Sequence, residues 1–286
     1  MMINRIKLST VTTYKFGGYC ENFIELNSKE DLNHLKNLNN FNKIFILGKG
    51  SNVAFSDKGY EGTVVRSNLN DINYNSEKGE IKVEAGYYLP DLARFYKKHD
   101  LENAEFLIGI PGSVGGAVKM NAGAYENEFG DIVKDVQTYN LESRKFEIFS
   151  SEEMEFSYRK SKDLKNRIVI SVNLKALPGN PNKINKKLKS YIRYRKRTQP
   201  AGIYNAGSVF KNGDDYSAGE LIDKAGLKGY SVDGVRVSEK HANFFIAPKG
   251  SKATSLYNLV NYVKEKVETQ QGVSLEKEIL FIGDFE

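Results

Sequence analysis

Hydrophobic positions change period several times along the chain. In SKEDLNHLKNLNN (28–40), leucines recur three apart behind a serine. That spacing predicts a helix with Ser28 as N-cap and Leu32, Leu35 and Leu38 inward. KIFIL (43–47) follows as a short buried strand and runs into GKGSN, so strand and helix alternate from about Val11 to Gly62. Residues 63 to 177 read mostly as strand, most clearly in EIKVEA and the alternating RIVISVNLK. One helix interrupts them, with Pro90 in its first turn and Leu92, Phe95 and Tyr96 on its inner side. LPGNPNK (177–183) is turn-rich and marks a domain boundary. A basic helical segment and an α/β tail come after it. There Ser217 and Glu220 form a capping box for a helix through Leu221 and Ile222 that stops at Gly226. In ATSLYNLVNYVKEKVETQQG, Leu256, Leu259, Val260, Val263 and Val267 make one stripe, and Gly272 ends it.

Composition narrows the class. With 286 residues, 40% hydrophobic and 27% charged, the chain suits a soluble globular protein of one to three domains. No apolar run approaches the length of a membrane span. The segment MMINRIKLSTVTTYKF has no apolar core followed by a small-residue cleavage site, so no signal peptide is expected and the cytoplasm is the default compartment. The single cysteine, Cys20, excludes an internal disulfide and a cysteine metal cluster. His34, His99 and His241 lack metal-like spacing and read as structural, so no metal is expected. A net charge of +6 and a pI near 9.0 point to anionic partners, either phosphorylated small molecules or nucleic acid. Taken alone, the basic run KINKKLKSYIRYRKRTQP reads as a solvated face or a nucleic-acid patch.

Glycine changes the picture. LGKGSNV (47–53) ends the KIFIL strand but has neither the Walker A order nor a G-x-G-x-x-G fingerprint. By itself it is either an ordinary glycine turn or a nest of backbone N–H groups for an anion, with Ser51 and Asn52 as added donors. IPGSVGGAVKMNAGAY (110–125) is the second such loop. A tight strand–helix junction needs one or two glycines, not Gly112, Gly115, Gly116 and Gly123 together. Two Gly/Ser loops can hold both sides of a pyrophosphate and leave room for a flat ring, which favours a ligand over packing.

These loops, followed in order by FSYRKS, RTQP, GSVFKN, AGELIDKAGLKG, VSEKHANFFI and LEKEILFIG, resemble the UDP-N-acetylenolpyruvoylglucosamine reductase (MurB) family. The matching stretches run from residue 47 to 283, so the likeness covers nearly the whole chain. No extra insertion follows FSYRKS, as in the shorter of the family's two structural types. The resemblance implies an α+β fold: a two-part FAD-binding domain of the PCMH/vanillyl-alcohol-oxidase type over residues 1–178 (subdomains about 1–62 and 63–178). An α/β substrate-binding domain over 179–286 follows, its last strand returning towards the active site. It implies NADPH-dependent reduction of UDP-N-acetylglucosamine enolpyruvate to UDP-N-acetylmuramate in peptidoglycan precursor synthesis. FAD is bound without a covalent link, NADPH is co-substrate, and neither nucleic acid nor membrane is a partner.

Residue by residue, the family's proton donor falls on Ser208, its catalytic arginine on Arg159 and its catalytic glutamate on Glu278. Without the family these would read as a loop hydroxyl, a solvated arginine and a surface carboxylate. Glu276 and Glu278, two apart in a strand pattern, would share a face. FAD contacts fall on Gly48, Gly50, Ser51 and Asn52, then Pro111, Gly112, Ser113, Gly115, Gly116, Asn121 and Gly123. Substrate contacts fall on Tyr158, Lys211, Asn212 and Lys228. Arg193 and Arg197, four apart on one helical face, suit a diphosphate. The sequence departs from the family at Tyr19-Cys20, Gly213, Ala247-Pro248 and Leu280. A flavoprotein oxidase of the wider FAD group would share the glycine loops but not FSYRKS with GSVFKN.

Overall fold

The computed structural model describes residues 2–36, 43–200 and 204–285. The strands β1 (Met2–Asn4), β2 (Cys20–Leu26), β3 (Ile44–Leu47), β4 (Val53–Phe55), β5 (Tyr60–Ser67), β6 (Ile72–Asn75) and β7 (Glu80–Glu84) precede the first α-helix, α1 (Leu89–Lys98). Further α-helices are α2 (Val114–Met120), α3 (Phe129–Ile132), α4 (Pro181–Thr198), α5 (Ala218–Lys224) and α6 (Ala253–Gln271). The chain divides into two compact units, the first of residues 1–4, 22–49 and 62–195, the second of 5–21, 50–61 and 196–286.

The first unit holds a four-stranded sheet in the order β1-β2-β5-β3. Its five-stranded antiparallel sheet runs Phe146–Ser150, Val133–Asn140, Arg167–Lys175, β7, β6. RIVISVNLK is the central strand, and its residues Ile168 through Val172 are all buried instead of alternating. Both its faces are covered: Ile168 and Ile170 join one core with Ile24, Leu26 and Tyr139, while Val169, Val172 and Leu174 join another with Ile81, Val83 and Val136. A register shift opposite Gln137 and Thr138 lets Val172 and Leu174 continue on the face of Val169.

Other elements depart from their patterns for local reasons. The expected helix from Ser28 is a short 3-10 helix, Lys29–Leu35, with Leu32 and Leu35 buried; Leu38 lies outside the described residues. The Asp31 carboxylate takes the N–H groups of Asn27 and Ser28 at 2.9 and 3.0 Å, a capping box that supports the expected start at Ser28. Among the described residues KIFIL is an edge strand paired with β5, with Leu47 buried and Ile46 exposed. The helix at Pro90 is α1, with Leu92 and Tyr96 buried and Phe95 half-buried. It does not stand alone between residues 63 and 177, because α2 and α3 form as well. VGGAVKM has poor helix propensity, which tertiary packing overrides.

The second unit pairs β4 in parallel with Leu280–Ile282. It also contains a three-stranded sheet of Ser231–Val232, Val235–Val237 and Phe245–Ile246. The predicted α6 stripe is fully buried in its core beside Val209, Phe210 and Phe245. Gly272 at φ +69° and Gly226 at φ +70° close α6 and α5 in the left-handed region that glycine enters freely.

Candidate active site

In the first unit, β3 delivers Gly48 to the second glycine loop. A Cβ on Gly48 would stand 2.7 Å from Ser113 Oγ and 4.0 Å from Gly116 Cα, so the bare Gly48 lets the two glycine loops pack against each other through the Ser113 hydroxyl. Ser113 is buried and caps α2, its Oγ accepting the Gly116 N–H at 3.4 Å. The loop is laid along residues 85–89. Gly115 N–H donates to Ala85 O at 2.8 Å, Val114 N–H to Tyr87 O at 3.0 Å, and Leu89 N–H to Gly112 O at 3.1 Å. Gly115 needs its missing side chain for packing, since a Cβ would come within 3.1 Å of Ala85. Gly116 is less confined, with Ser113 Oγ the nearest atom at 3.5 Å. Pro111 enters the loop exposed. Gly48, Ser113 and Gly116 thus pack closely, and a side chain on Gly48 would have to displace the Ser113 hydroxyl.

Asn121 caps α2 at φ +40°. Buried, its amide donates to Glu128 and to Ser157 O at 2.6 and 3.0 Å and accepts the Gly130 N–H at 2.9 Å. It thereby ties the loop to the corner that carries Arg159. Ser157 and Lys160 exchange backbone bonds at 3.0 and 2.9 Å, leaving Tyr158 and Arg159 at the tip. Arg159 takes φ +54°, unusual for a long side chain. Its guanidinium lies 4.8 Å from the Tyr158 ring centre and donates to Gly123 O at 3.2 Å.

On α4, Arg193 and Arg197 are exposed, and Arg193 Nε donates to Lys189 O at 3.3 Å. The neighbouring stripe Lys187, Tyr191, Arg195 turns to residues 105–125 of the same unit. Lys187 Nζ is 3.9 Å from the buried Glu105, Tyr191 stacks on Tyr125 at 3.9 Å, and Arg195 donates to Gly109 O. A Cβ on Gly109 would sit 2.2 Å from Arg195 Cδ. Burial holds the Arg195 pKa below its usual value, with Tyr125 opposing. Both stripes have four-residue spacing, so the pattern does not say which one packs; only the partner at 105–109 does.

In the second unit Gly50, at φ +68°, packs where a Cβ would lie 2.3 Å from Val11 O, and its own carbonyl accepts Thr13 N–H at 2.9 Å. Ser51 is half-buried after it. Asn52 directs its amide to Glu278 O at 3.0 Å, and Leu280 N–H returns to Asn52 O at 3.1 Å. The loop that the sequence assigns to FAD is thus bonded to the backbone of the candidate glutamate.

Ser208 follows Gly207, which has φ +78°. It bridges Phe244 on one side, and the next residue, Val209, meets Glu278 on the other. Glu278 and Ile279 both donate to Val209 O, at 2.8 and 3.3 Å, two residues opposite one in the manner of a β-bulge. Ser208 and Glu278 therefore stand on adjacent extended segments. Glu276 and Glu278 have different surroundings: Glu276 is exposed and ion-paired with Lys211 at 2.6 Å, whereas Glu278 is half-buried. Asn212 Oδ1 accepts the Ala218 N–H at 3.0 Å and Ser217 Oγ that of Glu220 at 3.4 Å, together capping α5. Lys228 pairs with Asp223. Gly213 has a local cause: its N–H donates to Tyr216 O at 3.1 Å, which a proline would forfeit, and a Cβ would strike the Tyr216 ring at 2.3 Å.

Asn243, which carried no signal of its own in the sequence, is buried in this segment and binds both backbone groups of Phe210. Burial and the nearby Lys228 push the His241 pKa down. Cys20 is buried and its thiol pKa is raised by that burial. Among the described residues, no group of three or more His, Cys, Asp or Glu is placed to hold a metal ion. No helix among them is long and apolar enough to cross a membrane.

Known proteins align with this arrangement over nearly its whole length. Residues 21–142 match the FAD binding domain family, and 199–282 match the C-terminal domain family of UDP-N-acetylenolpyruvoylglucosamine reductase. The reductase of that name from Orientia tsutsugamushi (strain Ikeda) is 38% identical, covering 97% of this chain and 93% of its own. That of Anoxybacillus flavithermus is also 38% identical with the same coverage. The crystal structure of the Thermus caldophilus enzyme (MurB) superposes with a TM-score of 0.86 at 32% identity, covering 99% of this chain and 100% of that one. The chain belongs to the UDP-N-acetylenolpyruvoylglucosamine reductase (MurB) family.

Proposed function

We infer that this protein is an FAD-dependent oxidoreductase that uses NADPH to reduce UDP-N-acetylglucosamine enolpyruvate to UDP-N-acetylmuramate in peptidoglycan precursor synthesis. The observation that carries the chemical part is the joining of Ser208 and Glu278 through Val209. Bound FAD would supply the hydride chemistry between NADPH and the enolpyruvyl methylene carbon. Charge then develops on the adjacent carbon and its carboxylate. Ser208 Oγ–H gives its proton to that carbon, while Arg159 holds the carboxylate in its planar fork and Glu278 completes the hydrogen-bonding support. The peptide corner at φ +54° limits where Arg159 can aim.

FAD is assigned, as the family likeness has it, to Gly48, Gly50, Ser51 and Asn52 and to Pro111, Gly112, Ser113, Gly115, Gly116, Asn121 and Gly123; the bare backbone at Gly48 and Gly115, where a Cβ would crowd its neighbours, supports close approach of a ligand there. The loops contain no cysteine or histidine for a flavin bond, which supports noncovalent binding. Tyr158, Lys211, Asn212 and Lys228 are assigned to the UDP-sugar, with Arg193 and Arg197 on its diphosphate. The FAD-binding part is taken as residues 1–178, with subdomains about 1–62 and 63–178, and the substrate part as 179–286. A cytoplasmic site of action and a part in cell shape and division go with this reaction, because its product serves wall synthesis; neither nucleic acid nor membrane is needed.

The test is the visible spectrum of the purified protein. A flavin band should bleach with NADPH, return with UDP-N-acetylglucosamine enolpyruvate, and leave with the supernatant on denaturation. A protein that stays colourless after incubation with FAD and removal of the excess, or colour retained by the precipitate, would overturn the reading.

A further inference from the structure

The geometry points to Asn243 as a positioning residue for Ser208, a proposal that rests on Ser208 being the proton donor. The segment Ser208–Phe210 is held on one side by residues 276–279 through main-chain bonds. On its other side, among the described residues, the main chain supplies the Ser208–Phe244 bridge and the bond from Val209 N–H to Asn243 O at 2.9 Å. Beyond that point the Asn243 side chain takes over. Its Oδ1 accepts the Phe210 N–H at 2.9 Å and its Nδ2 donates to Phe210 O at 2.8 Å, the pair of bonds a neighbouring strand would make.

All of these groups are buried: Asn243 is 3% exposed and Phe210 0%. A buried amide with both ends satisfied has one low-energy position, so the register of three residues is fixed against Glu278 and Ile279. Gly207, with φ +78° and no atom near its absent Cβ, gives the chain freedom just before Ser208. Without the Asn243 side chain, Phe210 would lose both bonds on that side, and the segment would be held there only by the Ser208–Phe244 bridge and the Val209 N–H. Asn243 itself is oriented by its N–H, which donates to His241 Nδ1 at 3.3 Å.

A group that acts by placing the donor should affect only the step that uses the donor. In Asn243→Ala, stopped-flow absorbance should show flavin bleaching by NADPH at the normal rate. Reoxidation by UDP-N-acetylglucosamine enolpyruvate should slow by about 10–100-fold, the scale of a misplacement near 1 Å. In a Ser208→Ala background the same substitution should cost nothing further. Amide exchange at Phe210 should quicken in Asn243→Ala and stay slow in Asn243→Asp, which keeps an acceptor for that N–H. If Asn243→Ala fails to fold, Asn243→Asp carries the kinetic test, with slowing confined to reoxidation. Equal slowing of both halves, no slowing, or a full additional loss on top of Ser208→Ala would each overturn the proposal. An unchanged reoxidation rate in Ser208→Ala alone would instead overturn the role of the serine.

Discussion

Bare backbone does the positioning in the first unit, and a side chain does it in the second. Around Gly48 and residues 112–116, the geometry depends on side chains that are absent: a Cβ at Gly48 would meet Ser113 Oγ at 2.7 Å. Around Ser208, a buried amide substitutes for a missing strand. On the proposed assignments, the difference follows from what each region would hold. A pyrophosphate spreads its charge over several oxygens and is satisfied by close N–H groups, whereas a proton donor must present one atom to one carbon. A cradle of absences leaves its mark in composition; a single well-placed hydroxyl does not.

The comparison breaks most visibly at Arg159. Arg159→Ala should lower turnover by about 10²–10³-fold, the range for loss of one oxyanion donor, with FAD content unchanged. Arg159→Lys should restore only part, because an ammonium cannot make the planar fork. A loss of FAD in step with activity would move Arg159 from the chemistry to the cradle.

Gly48→Ala probes the cradle directly. The overpacking penalty of about 1–3 kcal/mol should appear as weaker FAD binding, by about 5–150-fold in titrations of the apoprotein. Removing the obstruction with Ser113→Gly should recover part of that loss. Unaltered affinity in Gly48→Ala would mean the two loops have room to spare and do not close on the cofactor.

Much of the fold was legible because its patterns are local. The α6 stripe, the Pro90 helix and the Gly226 and Gly272 stops depend on spacing within one element, and all appear where expected. What could not be read depends on distant partners. Arg195 and Arg193 differ only in which neighbours α4 meets, and Gly109 lies far from both in sequence. The two N–H groups converging on Val209 O, and the amide of Asn243 on Phe210, are likewise nonlocal pairings without a periodic signature. The catalytic assignments at Ser208, Arg159 and Glu278 came from motif likeness alone, since each residue type is common on ordinary surfaces.

Arg193 and Arg197 sharpen the contrast at smaller scale. A charge-assisted contact contributes about 1.5–3 kcal/mol when shielded and less when exposed, as these residues are. Replacing either by Ala should raise the substrate KM by about 3–30-fold and leave FAD titrations alone. An unchanged KM in both variants would return this face of α4 to solvent.

The smallest effect is expected at His241. Its folded pKa lies below 6.5 because of burial and the charge of Lys228, so the folded protein resists its protonation. As pH falls below about 6.5 the unfolded chain takes up the proton first, and the stability tied to the neutral ring is lost. Thermal melts should therefore show the native protein losing Tm more steeply than His241→Gln below that pH, with parallel behaviour above it. Identical pH profiles would show that the ring is not held neutral by its surroundings.

The division between cradle and donor is tested most directly by Ser208→Ala in stopped-flow absorbance. Bleaching by NADPH requires no proton from serine and should proceed normally. Reoxidation by UDP-N-acetylglucosamine enolpyruvate should slow by about 10²–10⁴-fold, the usual contribution of one placed proton donor. Slowing of both halves to the same extent, or of neither, would contradict the account.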